Sequence, residues 1–217
     1  MKFLTNSMYN QFFICLLISC SFSFVTFDSL DAQTPRFDEL KSKFEAGKIF
    51  SADFRHQYND AFTGEQTVTE GKIWIGKEKY RIEADNQVMV VDGDLSKVYN
   101  RTRNRLIISP YIEEEDDYAP SRMLQGVDES YSVSEKTGDR GDPLIILENE
   151  DPFAVFKRVE ISLDSEGLPL EIEATDQAEN RLVTQFRNGK FTDQENSIFE
   201  MDVSGSAEII DLRHESQ

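Results

Sequence analysis

The stretch of residues 71–100 constrains the fold more than any other part of the sequence. Four apolar runs are separated there by short polar breaks, at 73–75, 80–84, 88–91 and 98–99. One break is Asp92-Gly93, and Asp-Gly between apolar runs is a strong hairpin signal, because both central residues of a type I′ turn need positive φ. The stretch predicts antiparallel strands in sequence order, a meander with one apolar and one wet face.

The same alternation continues on both sides of the meander. In residues 49–58, apolar and polar positions alternate with the period of two that is typical of a strand. Further strands are predicted at 105–109, 130–136, 144–147, 159–163, 168–174 and 181–186, and a final segment at 199–210 closes the chain. Short strands at this spacing indicate a sandwich or barrel. We therefore expect a mainly β domain of about ten strands.

A helix is predicted directly before the first strand. Thr34 is a suitable N-cap, Pro35 suits the first helical position, and Gly47 is a good terminator. One apolar stripe runs along this helix, formed by Phe37, Leu40 and Phe44. The helix either packs on the sheet or covers the mouth of a barrel, and the two interpretations are compatible.

The first 32 residues are interpreted as an export signal. Residues 12–27 are apolar or small throughout, which is short for a membrane span and long for a signal-peptide core. Cleavage after Ala32 would leave one domain at 33–217. The alternatives are a lipobox at 17–20, which would leave a lipidated Cys20, and an uncleaved anchor. Each interpretation places the folded part outside the cytoplasm.

Charge and cysteine content exclude several function classes. The net charge is −18, and losing residues 1–32 removes one Lys and two Asp, which leaves −17. Phosphate binding needs a basic face, so nucleic acid is not an expected partner. Both cysteines, Cys15 and Cys20, lie in the first 20 residues, so the body can form neither a disulfide nor a thiolate metal site.

No constellation in the body points to catalysis or to a cofactor. His56 lies at an apolar strand position without a second ligand at metal spacing, so we expect it to bond a backbone or tyrosine group. The acidic run at 113–117 lacks the alternating spacing of a calcium loop and is interpreted as a solvated loop, followed by a short helix at 118–126. Nucleophile and nucleotide motifs are missing from the sequence. We expect a protein that is not an enzyme and holds no cofactor or metal.

In order and spacing, these segments resemble the LolA family of periplasmic lipoprotein carriers over about residues 37–212. The first half contributes the opening helix, Phe50-x-Ala52-x-Phe54-x-x-Gln57, Gly71-Lys72-Ile73-Trp74-Ile75, Lys79-Tyr80-Arg81-Ile82-Glu83, Val90-Val91-Asp92-Gly93 and Val98-Tyr99-Asn100. The second half adds the 159–170 hairpin, Asp176 with Asn180, and Phe199 leading to Glu208-Ile209-Ile210-Asp211.

The resemblance implies an incomplete antiparallel β-barrel of about 10–11 strands with a helical lid. It implies a monomeric periplasmic carrier that shuttles triacylated lipoproteins from an inner-membrane Lol ABC transporter to an outer-membrane acceptor. The acyl chains would lie in an apolar cavity. We predict that Phe50, Phe54, Trp74, Tyr80, Ile82, Met89, Val91 and Tyr99 line it, with Met123, Phe153 and Phe156 from the lid. For each residue, the alternative is an ordinary core position.

The sequence departs from the family pattern at the residue that latches the lid. The family's Arg-Pro after the Gly71 strand is replaced near Gly76-Lys77-Glu78, and the family's Leu-Trp pair before Val98 is Ser96-Lys97 here. Lys77 and Arg81 are the candidate substitutes, although lysine lacks the planar fork that holds several carbonyls at once.

Two other functions stay open at this point. A Cys20-lipidated acceptor of similar fold would share the barrel but remain in the outer membrane. A barrel for another small hydrophobic ligand, or a sensor of mislocalised lipoproteins, would differ in cavity volume and in bound mass.

Overall fold

The computed structural model describes residues 34–113, 116, 118–139, 141–193 and 195–213. Among these residues, the helices with described bounds are α1 (Pro35–Glu45), α2 (Pro120–Gln125) and a 3₁₀ helix (Asn196–Phe199). The strands are β1 (Ile49–Asn59), β2 (Gln66–Ile75), β3 (Lys79–Ala84), β4 (Gln87–Asp92), β5 (Leu95–Asn100), β6 (Arg105–Pro110), β7 (Ser132–Thr137), β8 (Pro143–Glu148), β9 (Phe156–Leu163), β10 (Pro169–Asp176), β11 (Arg181–Thr192) and β12 (Glu208–Asp211).

The predicted meander is confirmed, since β2 to β5 pair in sequence order and antiparallel. The predicted turn type after β4 was wrong. Asp92 pairs with Leu95, so the two-residue loop is Gly93-Asp94, and only Gly93 has positive φ, at 63°. A two-residue loop with glycine in the first position is the type II′ pattern.

All twelve strands form one open sheet in the order β12-β6-β5-β4-β3-β2-β1-β11-β10-β9-β8-β7. The prediction of a mainly β, incomplete antiparallel structure with helices is confirmed, with twelve strands in place of ten or eleven. Two features were not foreseen: β12 pairs parallel to β6, and β11 continues past residue 186 to Thr192.

Helix α1 packs on the inner face of the sheet. Its predicted stripe of Phe37, Leu40 and Phe44 is buried, which confirms the stripe. Gly47 follows the helix with φ of 76°, a left-handed conformation that favours glycine and stops the helix. The predicted start of the helix is confirmed, with Thr34 at the N-cap position and Pro35 as the first helical residue, although the Thr34 side chain makes no capping hydrogen bond.

A second apolar cluster lies on the outer face, where the C-terminal segment crosses the sheet. Phe199 is buried against Ile49, Val88 and Val90, and Trp74 packs beside them. This segment therefore covers the outer side of β3 and β4, away from the helices.

Five turns share one end of the sheet because of the antiparallel order, at 60–65, 85–86, 101–104, 149–155 and 177–180. We call this end the rim. The predicted helix at 118–126 is present as α2, with Met123 and Leu124 buried.

Two predictions fall on parts of the chain that are not fully described. The predicted signal peptide at 1–32 lies outside the described residues, so it and the 33–217 domain stay predictions. Of the acidic run, only Glu113 and Asp116 are described. Within the described residues, no helix is both long and apolar enough to cross a membrane.

Candidate functional site

The inner face of the sheet encloses a cavity of about 380 Å³ between the strands and the segment that carries α2. Its lining combines many apolar side chains with a few polar ones: Phe54, His56, Thr69, Ile73, Tyr80, Ile82, Met89, Asp116, Tyr118, Pro120, Met123, Ile172, Ala174, Leu182, Thr184 and Phe186. Six strands contribute to this wall, so the sheet curls around the cavity.

Strand register explains the two facing walls. On one wall, Ile73, Ile82 and Met89 lie side by side across β2, β3 and β4. On the other wall, His56, Thr184 and Ile172 form a row across β1, β11 and β10. Because side chains alternate along each strand, the residues of both rows face inward, and the residues between them in each strand face outward.

The cavity opens toward the rim and does not fill the whole interior. Toward the opposite end, aromatic side chains fill the space. Phe50 packs edge-on against Phe186, with ring centroids 5.3 Å apart, and lies 5.4 Å from Phe191. Phe44 of α1 meets Phe191 at 5.5 Å. Helix α1 therefore fills the end of the interior opposite the rim and leaves the cavity open.

The segment that carries α2, which we call the lid, is held to the sheet by the carboxylate of Asp116. This carboxylate accepts hydrogen bonds from two tyrosines. The Tyr80 hydroxyl donates to Asp116 Oδ2 at 2.8 Å, and the Tyr111 hydroxyl donates to the same oxygen at 3.1 Å. Burial, and then the negative charge of Asp116, raise the pKa of Tyr80 and the pKa of Tyr111. Both phenols therefore stay protonated donors at neutral pH.

Three further contacts fix the lid. Gln125 of α2 donates to the Lys77 carbonyl at 2.9 Å. Gly126, with φ of 112°, lies so close to α1 that an added Cβ would stand 2.9 Å from the Phe37 ring. The Tyr118 ring packs edge-on against Phe156 at 5.2 Å. The lid thus contacts α1, the β2–β3 turn and the first residue of β9.

His56 is the one imidazole in the cavity wall. Its Nδ1 lies 2.8 Å from Thr184 Oγ1, so its partner is a threonine and the predicted backbone or tyrosine partner was wrong. Burial lowers the pKa of His56, which favours the neutral ring. The wall is therefore uncharged at this point near neutral pH.

A second, more polar space of about 520 Å³ adjoins the cavity at the rim. The two share Thr69, Ile82 and Met89 as lining residues. Polar groups dominate the rest of its wall: Asp85, Asn86, Gln87, Asn100, Thr102 and Arg103, with Ala84 beside them. The apolar cavity therefore continues into a polar mouth between the β3–β4 and β5–β6 turns.

Five of the eleven predicted cavity residues lie in the cavity wall: Phe54, Tyr80, Ile82, Met89 and Met123. The structure places the other six elsewhere. Phe50, Val91 and Phe156 are buried in packed core, Trp74 and Tyr99 face the outer side of the sheet, and Phe153 is 92% exposed. The binding role of the whole set stays a prediction.

Sequence reasoning missed the β10 and β11 side of the wall, which Ile172, Ala174, Leu182 and Phe186 provide. Apolar and polar residues alternate in the predicted strands at 168–174 and 181–186. This alternation is the sequence signal that could have identified these four wall residues. Asp116 carried no such signal, because it lies in an acidic run without periodicity.

The two latch candidates have different roles. Arg81 points to the outer face, where its guanidinium donates to the carbonyls of Ile198 at 3.2 Å and Glu200 at 2.6 Å. It therefore fastens the C-terminal segment. Lys77 meets both helices, through its carbonyl to Gln125 and through Nζ, which lies 3.9 Å from Glu45.

Among the described residues, no three His, Cys, Asp or Glu side chains come close enough together to hold a metal ion.

Comparison with known proteins gives one family match. The family described as "Outer membrane lipoprotein carrier protein LolA" matches residues 46–202. No curated protein sequence gives a significant match.

The chain also resembles solved structures at low sequence identity. An uncharacterized conserved protein from Thermus thermophilus has a TM-score of 0.52 at 11% identity, covering 81% of this chain and 96% of its own, so the two share the fold. A LolA superfamily protein from Nitrosomonas europaea has a TM-score of 0.41 at 11% identity, covering 76% of this chain and 97% of its own.

Proposed function

Because the chain belongs to the LolA family of outer membrane lipoprotein carrier proteins, we propose that it carries lipoproteins by holding their acyl chains in the cavity between sheet and lid. The observation that supports this most directly is the cavity itself. Its wall is mainly aliphatic and aromatic, and the few polar groups in it include the hydrogen-bonded His56–Thr184 and Tyr80–Asp116 pairs. Such a wall suits a ligand without polar atoms.

The volume of the cavity sets a condition on the mechanism. At about 30 Å³ for a group of the size of water or a methylene, a space of 380 Å³ holds roughly a dozen groups. That is less than one full acyl chain of a triacylated lipoprotein. Loading therefore requires the lid to move outward, with the polar mouth as additional space.

Energetics favour a loosely closed lid. Each buried methylene contributes about 0.8 kcal/mol, so three acyl chains represent tens of kcal/mol of gross transfer. Noncovalent affinity saturates near about 20 kcal/mol, so much of this gain must offset lid opening and incomplete coverage. Opening the lid breaks the hydrogen bonds of Asp116 and Gln125 and exposes the buried side chains of Met123 and Leu124, and this cost offsets part of the gain.

The proposal also covers export of the protein and its loading and delivery in the cell envelope. Residues 1–32 direct export, cleavage after Ala32 releases a monomeric periplasmic carrier, and an inner-membrane Lol ABC transporter supplies triacylated lipoproteins. The carrier then delivers them to the outer membrane, through an acceptor where one exists. The alternative of a lipidated acceptor anchored at Cys20 differs in its mature N-terminus.

A second candidate function has one observation in its favour. The cavity volume of 380 Å³ falls near the lower end of the range of about 300–1,000 Å³ that small-molecule pockets occupy. A carrier or sensor for a hydrophobic ligand of up to about a dozen non-hydrogen atoms fits without lid movement. The stoichiometry of bound chains distinguishes the two.

The experiment that tests the proposal fills the cavity. Ala174 is fully buried in the cavity wall, and Ala174→Phe places a ring where ligand would lie. We expect binding of a triacylated lipopeptide, measured by displacement of a fluorescent fatty acid, to fall at least tenfold. Thr175→Phe, on the opposite face of the same strand, is the matched control, and thermal denaturation checks that both variants fold. Unchanged binding in a folded Ala174→Phe variant would refute the proposed site.

A further inference from the structure

Two phenylalanine side chains stand almost completely free of the protein. Phe62, in the β1–β2 turn, is 98% exposed, and Phe153, in the β8–β9 turn, is 92% exposed. Both turns belong to the rim. A ring left in water gives up the stabilisation that burial would supply, so two of them at one end of the molecule call for a function.

Local structure holds both rings outward. Each phenylalanine follows an aspartate by two residues, and that carboxylate accepts its backbone N–H. The distances are 3.0 Å from the Phe62 nitrogen to Asp60 Oδ1 and 2.9 Å from the Phe153 nitrogen to Asp151 Oδ1. Aspartate-initiated turns of this kind fix the backbone of the following residues. The rings therefore project from turns whose backbone is fixed by hydrogen bonds.

The two turns are joined through a third. The backbone N–H of Ala61 donates to Asn180 Oδ1 at 2.9 Å, and Gln177 Nε2 donates to the Asp151 carbonyl at 3.2 Å. The β10–β11 turn thus lies between them and ties them together. Phe62 and Phe153 stand on one connected ridge.

This ridge rises above the polar mouth of the cavity. Strand β2 pairs with β3 only as far as Gly71 opposite Ala84, and its residues 66–70 continue past that point, paired with β1. Five residues at about 3.4 Å each amount to roughly 17 Å. The hairpin that carries Phe62 therefore extends beyond the β3–β4 turn, which is part of the mouth.

We propose that this ridge docks on a phospholipid bilayer, with Phe62 and Phe153 inserted at the interface and the cavity mouth facing the membrane. The proposal rests on the proposed function, because the acyl chains of a lipoprotein leave one bilayer and enter another. Held in this way, the mouth receives or releases chains with little exposure to water.

A bilayer fits these rings better than a protein partner does. A stable protein interface buries about 1,200–2,000 Å² and centres on a packed patch, whereas Phe62 and Phe153 sit on separate turns, and neither lines a cavity described here. Lipid accepts isolated apolar side chains without a complementary pocket. The net charge of −18 opposes binding to anionic lipid, so the expected surface is zwitterionic.

The test is flotation of the protein, purified from its own cell envelope, with phosphatidylcholine vesicles. We expect reversible binding of the wild type, reduced about tenfold by Phe62→Ser or by Phe153→Ser and further by the double variant, in line with the loss of one buried ring each. Ile112→Ser is the matched control, since Ile112 is 49% exposed and follows β6 at the end opposite the rim.

A depth measurement provides a second readout. Tryptophan at position 62, in Phe62→Trp, should be quenched by brominated phosphatidylcholine, and tryptophan in Ile112→Trp should not, both above the shared background of Trp74. Equal vesicle binding by wild type and double variant, or equal quenching at the two positions, would overturn the proposal.

Lipopeptide binding in detergent, measured on the same variants, separates this proposal from the carrier function. We expect it to be unchanged in Phe62→Ser/Phe153→Ser. If lipopeptide binds and vesicles do not, only membrane docking is refuted. If lipopeptide fails to bind even to the wild type, the carrier function itself is refuted.

Discussion

Removing the Tyr80 hydroxyl tests whether Asp116 latches the lid. Tyr80 is 5% exposed, and its hydrogen bond to Asp116 is 2.8 Å long. Hydrogen bonds to charged groups contribute about 1.5–3 kcal/mol, and the partly exposed carboxylate places this one near the lower limit. Since about 1.4 kcal/mol is a factor of ten, Tyr80→Phe should raise the open fraction of the lid at least tenfold.

Hydrogen exchange of α2 is the direct assay, because exchange there reports opening of the lid. Tyr99→Phe is the matched control: its hydroxyl donates to Asn104 Oδ1 at the same 2.8 Å, but on the outer face of the sheet. We expect faster exchange in α2 and faster lipopeptide association for Tyr80→Phe only. Since Asp116 keeps its bond to Tyr111, Asp116→Ala should have the larger effect. Equal exchange of α2 in both tyrosine variants would refute the latch.

Three further predictions follow from single contacts. Gly71→Ala should destabilise the fold by about 3 kcal/mol or more in denaturant unfolding, because the new Cβ would stand 1.9 Å from the Glu83 carbonyl oxygen. Gly205→Ala is the control and should leave the stability unchanged, because Gly205 has open space around it. The pKa of His56 is lower in the folded than in the unfolded state, so the unfolded state takes up a proton first as the pH falls. The free energy of unfolding should therefore decrease as the pH drops below about 6.5, and His56→Gln should remove this contribution in urea titrations. Arg81→Ala should speed hydrogen exchange in the C-terminal segment and leave α2 unchanged, since its carbonyl partners lie in that segment; exchange confined to α2 would contradict this.

The sequence predicted the sheet well, because alternation and turn residues act locally. It predicted the cavity poorly, and the reasons are physical. Trp74 and Tyr99 are large and apolar, but they lie one residue away from inward positions, and a shift of one residue reverses the face of a strand. Phe50 has the correct parity, yet α1 and β11 fill its end of the interior.

The end of β11 shows a second limit. Residues 187–190 are three polar residues and a glycine, and they interrupt the apolar alternation, so the strand was predicted to stop at 186. In the structure, Asn188 has φ of 56° and the pairing with β1 shifts between Ser51 and Asp53. This irregularity lets β11 continue and brings Phe191 inward. A bulge of this kind depends on the partner strand, which local sequence does not specify.

The role of Asp116 required tertiary structure altogether. Three chain segments meet at its carboxylate, from β3, from the end of β6 and from the lid. Nothing in an acidic run distinguishes one carboxylate from its neighbours before the chain is folded.

Native mass spectrometry of the protein purified from its own cell envelope tests the central claim most directly. The carrier function predicts a mature chain that begins at Gln33 and carries one triacylated lipoprotein. A chain that begins at a diacylglyceryl-modified Cys20 would indicate an anchored acceptor instead. A Gln33 form that stays empty, even when mixed with solubilised lipoproteins, would contradict the account.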